Sequence, residues 1–192
     1  DLGILGQNVL NEESPKVKKL LNLRYGFCSL TVAVPKESEI KNIKELKGKT
    51  IATSYPESTK KFFKENNIQV GVVSISGSVE ITPALGVAQA IVDLASTGST
   101  LALNDLRALT KIYESEAVLI ANEETLKNGK KDLLEKLITR FEGVLSAKDY
   151  KYVMMNAPEE VLPKIKKIIP GLKSPTISPL ANKGWLSVQT VI

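Results

Sequence analysis

Short continuous apolar runs alternate along the chain with stretches whose apolar residues recur at helical spacing. The first kind predicts strands and the second predicts helices. This alternation is typical of α/β architecture, so the pattern alone predicts sheets covered by helices. The predicted strands are residues 2–5, 29–34, 50–52, 70–75, 108–113 and 117–121, with a further run beginning at Ile91.

Local signals place several of the helices. Asn42 and Glu45 have capping-box spacing ahead of a short helix. Ser58 is predicted to cap a helix over residues 60–65. Residues 130–147 form the clearest amphipathic stretch, and we expect that helix to pack on a sheet. Its apolar face consists of Leu133, Leu134, Leu137, Ile138, Phe141, Val144 and Leu145.

The last part of the chain, residues 151–192, predicts a separate unit with the order β-α-β-β. A strand in "KYVMMNAP" precedes a helix that should start near Glu160, because Pro163 is tolerated only in a first turn. "PG" at 170–171 should end this helix, and "SPTISPL" and "WLSVQTVI" supply two strands. The order is most of a ferredoxin-like unit.

Composition excludes whole classes of chemistry. With 192 residues, 43% of them hydrophobic, the chain can bury a core and form more than one compact unit. It contains one cysteine, Cys28, and no histidine, which excludes disulfide frameworks, Cys/His zinc sites and Ser-His-Asp triads. A single free cysteine fits a reducing compartment, so we expect a cytoplasmic protein.

The net charge of +5 comes almost wholly from lysine, since arginine occurs only at Arg24, Arg107 and Arg140. The lysines are scattered along helical faces, which argues against nucleic-acid binding and fits a solvated surface or the attraction of polyanionic substrates.

No stretch is long and apolar enough to predict a membrane span. The chain opens on what looks like the end of a strand and stops inside another, so we expect an internal piece of a longer chain.

Five small residues follow the strand that begins at Ile91. Consecutive small residues allow the backbone N–H groups of Ser96, Thr97, Gly98, Ser99 and Thr100 to turn inward together and form a phosphate cradle ahead of a helix. Asp93, near the end of the strand, can accept hydrogen bonds from sugar hydroxyls. The pair predicts a ribose 5-phosphate site, and an ordinary strand-to-helix turn with a Ser or Thr cap is the alternative.

The segment "SGSVEITPALGVAQAIVDLASTGSTLALNDL" resembles the phosphoribosyl-pyrophosphate-binding segment of ATP phosphoribosyltransferase, the first enzyme of histidine biosynthesis. Further landmarks match in order along essentially the whole chain. They are "DLGILGQN", "LTVAVP", "GKTIATSYP", "YVMMNAP", "LKSPTISPLANKGW" and "SVQTVI".

The resemblance implies a two-lobed catalytic region similar to type II periplasmic binding proteins, followed by an incomplete ferredoxin-like regulatory domain. Residues 1–34 and 118–150 would form the first lobe, 35–117 the second, and 151–192 the regulatory domain of the long form. This sequence departs from the family at two positions. Gln89 stands where the family commonly has an acidic residue, and Gln189 stands where it commonly has a histidine.

The implied reaction joins N1 of ATP to C1 of phosphoribosyl pyrophosphate and releases pyrophosphate, with Mg²⁺ as cofactor. Ser96–Thr100 would hold the 5-phosphate and Asp93 the ribose hydroxyls. The resemblance also implies a homo-oligomer from dimer to hexamer. It further implies feedback inhibition by histidine, with candidate contacts at Ser174, Thr176 and Ser178.

Three more residues are candidates. Glu80 could contact the sugar or the metal, or complement a helix dipole. Ser54 and Tyr55 follow another strand, where the tyrosine could stack on a base, although packing of its ring in the core is the simpler interpretation. Trp185, Met154 and Met155 are expected in the core, and Cys28 is expected to be a buried small side chain.

Two other functions compete with this interpretation. A two-lobed solute-binding protein for an amino acid or oxyanion is the main alternative, and a purely regulatory amino-acid-binding module is the third.

Overall fold

The computed structural model describes residues 2–124, 131–169 and 174–192. The chain separates into two compact units, Asp1–Asp132 and Leu133–Ile192. No helix in the described part of the chain is long and apolar enough to cross a membrane.

The first unit contains eight strands, three α-helices and two 3₁₀ turns among its described residues. The strands are β1 (Leu2–Gly6), β2 (Val17–Asn22), β3 (Cys28–Pro35), β4 (Thr50–Thr53), β5 (Gly71–Ser74), β6 (Ala90–Ala95), β7 (Leu106–Ser115) and β8 (Ala117–Asn122). The helices are α1 (Gln7–Glu13), α2 (Pro56–Glu65) and α3 (Ser99–Leu103), and the 3₁₀ turns are Ile43–Leu46 and Val79–Ile81.

These strands form two sheets. The three-stranded sheet has the order β1-β8-β2 and is antiparallel, and the five-stranded sheet has the order β5-β4-β6-β3-β7. In the larger sheet β4 is parallel to β5 and β6, whereas β3 is antiparallel to β6 and β7. Since β3 lies wholly in the larger sheet, the chain changes sheets before Cys28, ahead of the lobe boundary predicted at residue 34.

The five-stranded sheet is buried on both faces because its central strands are apolar on both sides. Side chains alternate along a strand, so Val92 of β6 faces one side and Ile91 the other, and neither is exposed. On the first side Phe63 of α2 packs on the sheet, and on the second side Val79 and Leu101 do so.

The chain passes between the two sheets twice, along residues 23–27 and again at Glu116. The Glu116 carboxylate accepts one hydrogen bond from Asn22 Nδ2 and another from the backbone N–H of Arg24, each 2.8 Å long. The two passages therefore lie side by side and are bonded to each other.

The starts of the turn at Ile43–Leu46 and of α2 both differ from the prediction. Asn42 caps a 3₁₀ turn by accepting from Lys44 N (3.0 Å). Glu45 accepts from the backbone N–H of Lys41 (2.9 Å) and from the side-chain amide of Asn42, instead of from the Asn42 backbone N–H that a capping box requires. The prediction that Ser58 caps α2 is wrong, because α2 begins at Pro56, which is suited to a first helical position.

The second unit contains most of α4 (Lys131–Ala147), then β9 (Tyr152–Pro158), α5 (Leu162–Ile168), β10 (Thr176–Pro179) and β11 (Trp185–Val191). Its sheet has the order β10-β11-β9 and is antiparallel, which confirms the predicted β-α-β-β unit. A 3₁₀ turn at Glu159–Val161 leads into α5 and keeps Pro163 in the first turn, as expected. The predicted stop at 170–171 lies outside the described residues.

Several side chains of this unit are more exposed than the sequence indicates. Met154 is 64% exposed and Trp185 43% exposed, so neither is a core residue, while Met155 is half-buried. The reason is strand alternation: Met154 lies on the face opposite to the buried Val188 and Ala157.

Two other expectations of burial need adjustment. In α4 only part of the predicted apolar face is covered: Leu134 is buried, whereas Leu133 and Val144 are exposed. Cys28 of the first unit is free and half-buried instead of fully buried.

Candidate functional site

Asp93 lies inside β6, a central strand, and is paired in register with Thr31 of β3. It shares a sheet face with Ile91 and Ala95, which is the face that Val79 and Leu101 cover. Its side chain is half-buried. The fold therefore holds a carboxylate in a largely apolar surface next to the segments around residues 80 and 96–100.

The pKa of Asp93 is raised above its ordinary value, and burial of the carboxylate is the largest cause. The N–H of Leu94 donates to Asp93 Oδ1 at 2.8 Å and partly offsets this, while the negative charge of Glu80 raises the pKa further. The structure thus brings Asp93 and Glu80 into one electrostatic environment. Two carboxylates that repel each other favour a bound cation or hydroxyl donors between them.

Polar residues of β3 extend this acidic site. Ser29 and Thr31 lie on the same sheet face as Asp93, and Ser29 Oγ contacts Thr31 Oγ1 at 3.1 Å and donates to Ala95 O at 3.2 Å. Sequence reasoning missed both, although the alternation of Ser29 and Thr31 with apolar residues in "CSLTV" marks one polar face of the strand.

The loop Ser96–Thr100 leaves the end of β6 and enters α3. Gly98 has φ +76°, in the left-handed region that favours glycine, and α3 starts at Ser99. Thr97 Oγ1 lies 2.9 Å from Ser99 Oγ and accepts a long bond of 3.5 Å from Ser99 N.

Most amides of this loop lack a hydrogen-bond acceptor in the part of the chain that the structure describes. Within residues 2–124, 131–169 and 174–192, the structure shows no protein acceptor for the backbone N–H groups of Ser96, Thr97, Gly98 and Thr100. The loop is largely exposed, and nothing lies within 4 Å of the position that a Cβ on Gly98 would take. The loop is therefore open and follows the strand that carries Asp93, and its role as a phosphate cradle stays a prediction.

Ser54 and Tyr55 follow β4, which neighbours β6. Ser54 Oγ donates to Ile75 O at 2.7 Å, so its proton is already used within the protein. The Tyr55 ring packs against the core cluster of the α2 face, and its hydroxyl accepts from Asn8 Nδ2 at 3.3 Å. Burial raises the pKa of Tyr55, and the charge of Asp93 adds to that rise, which places the hydroxyl close to the acidic site.

Asn8 is a buried polar residue that sequence reasoning missed. Its N–H donates to Ser115 Oγ at 2.9 Å, and Ser115 Oγ donates to Asn8 Oδ1 at 3.0 Å. Asn8 thereby connects α1, the end of β7 and Tyr55. The signal in the sequence is weak, since it is one amide side chain just after a strand in a stretch with no clear period.

The other predicted residues lie elsewhere. Gln89 bonds Thr50 at the amino end of β4, through its backbone N (3.0 Å) and side-chain Oε1 (2.9 Å), away from the carboxyl-end site. In the second unit Thr176 and Ser178 are exposed on one face of the edge strand β10, and Ser174 precedes that strand. Gln189 faces Thr176 in register and accepts from Tyr152 OH at 2.6 Å.

Comparisons with known proteins give matches along the whole chain. The family model for ATP phosphoribosyltransferase matches residues 1–143, and the model described as "HisG, C-terminal domain" matches residues 147–192. An ATP phosphoribosyltransferase of Parabacteroides distasonis is 45% identical over 192 residues, which are all of this chain and 68% of that relative.

Solved structures show the same fold. The ATP phosphoribosyl transferase complex from Thermotoga maritima aligns with a TM-score of 0.67 at 24% identity, over 77% of this chain and 71% of that one. A putative periplasmic sulfonate-binding protein from Methylobacillus flagellatus aligns with a TM-score of 0.57 at 19% identity, over 78% of this chain and 50% of that one. At these identities both likenesses concern the fold alone, and they confirm the predicted two-lobed architecture.

The raised pKa of Asp93 gives a prediction about stability. A carboxyl whose pKa is higher in the folded state stabilises the fold below the ordinary aspartate pKa of about 3.9, and this contribution is lost as pH rises through the raised value. Asp93→Asn should therefore raise the Tm at neutral pH, and the gain should shrink as pH falls towards 4. Thermal unfolding between pH 4 and 8 measures this.

Asp105→Asn is the matched control, because Asp105 is exposed and its left-handed backbone (φ +51°) suits asparagine. It should show no comparable gain at neutral pH. An Asp93→Asn protein that melts below wild type at pH 7 would contradict the argument.

Proposed function

Since this chain belongs to the ATP phosphoribosyltransferase family, we propose that Ser96–Thr100 holds the 5-phosphate of phosphoribosyl pyrophosphate and that Asp93 accepts hydrogen bonds from its ribose hydroxyls. One observation carries the proposal: four loop amides for which the described residues offer no acceptor stand in a largely exposed loop that directly follows the strand of a half-buried carboxylate. A sugar phosphate needs donors for its phosphate and an acceptor for its hydroxyls.

The family transfers the 5-phosphoribosyl group to N1 of ATP with release of pyrophosphate, the first step of histidine biosynthesis. Adenine N1 has a free lone pair, so no proton must be removed before it attacks C1. The absence of histidine from the sequence is consistent with such a reaction. The residues of this chain contribute by positioning the sugar and by stabilising charge.

Asp93 is suited to the sugar rather than to the phosphate. A carboxylate repels a phosphate but accepts strong hydrogen bonds from neutral hydroxyls. Burial makes the ionised form of Asp93 costly when it is unpaired, as its raised pKa reflects, so hydroxyl donors from a bound ribose would relieve that cost. The amides of Ser96–Thr100 offer the complementary partial positive charge to the phosphate.

Magnesium is a further proposal. Mg²⁺ is usually held by one or two carboxylates together with substrate phosphates, and Asp93 and Glu80 supply two carboxylates in one environment. No group of three or more potential metal ligands occurs among the described residues. Asp93 and Glu80 would hold the ion, which would neutralise charge on the departing pyrophosphate.

For the nucleotide we propose Tyr55 in preference to Ser54. Tyr55 is half-buried, and its hydroxyl stands by Asp93, whereas the hydroxyl proton of Ser54 is donated to Ile75. A tyrosine ring fixed by packing on one side can present its other edge to a base.

Feedback inhibition by histidine is proposed for the second unit. Thr176 and Ser178 present two hydroxyls on one face of β10, and Gln189 adds an amide on the adjacent strand. These groups could bind the charged ends of a small amino acid.

Location and assembly also stay proposals. We place the protein in the cytoplasm as a homo-oligomer, between dimer and hexamer. ATP and phosphoribosyl pyrophosphate are intracellular metabolites, which supports the location. The similar Thermotoga maritima structure is a complex of HisG with a second component, HisZ, which supports assembly in general.

Loss of the Asp93 carboxylate should weaken sugar binding. In the complete enzyme, Asp93→Ala should raise the KM for phosphoribosyl pyrophosphate about 10- to 100-fold, the range expected for losing a hydrogen bond to a charged group. Steady-state release of pyrophosphate at saturating ATP measures it. Glu114→Ala, which removes an exposed carboxylate of β7, should leave the KM unchanged. A well-folded Asp93→Ala enzyme with the wild-type KM would rule out the ribose role.

The loop conformation is tested at Gly98. A β-branched residue is strained at φ +76°, so Gly98→Val should weaken the binding of phosphoribosyl pyrophosphate and magnesium by about 10-fold or more. Calorimetry on the chain measures the affinity. Gly48→Val is the control, since Gly48 has φ +74° and equally open space in the turn before β4. Equal losses in both variants would attribute the effect to general strain instead of the cradle.

Histidine should inhibit the complete enzyme and bind with measurable heat. Thr176→Val combined with Ser178→Ala should reduce histidine affinity about 10-fold, since each removes one hydrogen bond. Ile177→Val, on the opposite face of β10, should have no such effect. The proposal is wrong if histidine neither inhibits nor releases heat.

A further inference from the structure

The amino end of α2 is capped by a side chain from another helix. Glu12 Oε1 accepts from the N–H of Glu57 at 2.8 Å, and Glu12 Oε2 accepts from the N–H of Ser58 at 2.9 Å. Tyr55, the residue at the cap position, makes no side-chain capping bond. The cap is thus supplied by α1, more than forty residues away in sequence.

This carboxylate does more than fill two acceptor positions. The first N–H groups of a helix have no partner within the helix, and the same end carries partial positive charge. Glu12 is half-buried, so water and salt screen this contact less than they screen a surface ion pair. Removal of the carboxylate leaves both N–H groups without an acceptor.

The contact joins the two sheets of the first unit. α1 follows β1 of the three-stranded sheet, and α2 follows β4 of the five-stranded sheet. The bond from Asn8 to Tyr55 joins the same two elements a turn earlier along α1. Glu12 and Asn8 therefore hold both ends of the β4–α2 junction against one face of α1.

That junction borders the candidate site. Tyr55 lies directly before α2 and two residues after Thr53, which is paired in register with Val92, the residue before Asp93. The charge of Asp93 accordingly contributes to the raised pKa of Tyr55. A shift of α1 relative to α2 would displace Tyr55 relative to Asp93.

We propose that Glu12 is a positioning residue that holds the two sheets at the separation needed to bind phosphoribosyl pyrophosphate at Asp93. This inference rests on the proposed function. Without the cap, a fraction of molecules adopts a wider separation, and substrate must restore the binding-competent arrangement. Apparent affinity then falls, while the rate at saturating substrate is retained.

The test is Glu12→Gln in the complete enzyme. Glutamine offers a single acceptor and no charge, so the KM for phosphoribosyl pyrophosphate should rise about 5-fold, the factor expected from losing a helix cap, with kcat unchanged. Amide hydrogen exchange at Glu57 and Ser58 should become faster in the same variant. Glu13→Gln, at the exposed neighbouring position, is the control and should change neither quantity.

A role limited to stability would lower the Tm of Glu12→Gln and leave the KM where it was, which would overturn the inference. So would an equal change in Glu13→Gln. If Glu12→Gln does not fold, Glu12→Asp decides, because it keeps the charge on a shorter side chain and should give a smaller rise in KM. Failure of the wild-type enzyme to bind phosphoribosyl pyrophosphate would instead refute the proposed function itself.

Discussion

Partial burial of the Asp93 carboxylate within a central strand is the constraint on which the site depends. Burying an unpaired charge in a strand that is covered on both faces costs free energy. Asp93 lies where β6 changes from buried residues to half-buried ones towards its carboxyl end, so its carboxylate is only partly removed from solvent. The polar residues Ser29 and Thr31 on β3 lie next to it, and the loop Ser96–Thr100 follows it. The acid, the hydroxyls and the free amides are adjacent because the strand order β6-β3 makes them so.

The sequence predicts those parts of the fold that local chemistry decides. Apolar runs identify most strands, and Pro163 sets the start of its helix because a proline can stand only in a first turn. Gly98 marks the turn between β6 and α3 for a similar reason, since the left-handed backbone at φ +76° favours glycine.

The parts that depend on distant contacts could not be predicted. The local sequence predicts Ser58 as the cap of α2, but the acceptor comes from Glu12, and no pattern near Ser58 reveals that. Asn8 and Ser115 are brought together from opposite ends of the first unit. In the second unit Met154 and Trp185 are apolar yet exposed, because the side of a strand that is covered depends on what packs against the sheet.

The side-by-side passages of chain between the two sheets have a mechanical consequence. Glu116 binds the first passage through Asn22 and Arg24, so the two connections are cross-linked to each other. A rotation of one sheet against the other would therefore have to displace both passages together, because each is bonded to the other at Glu116.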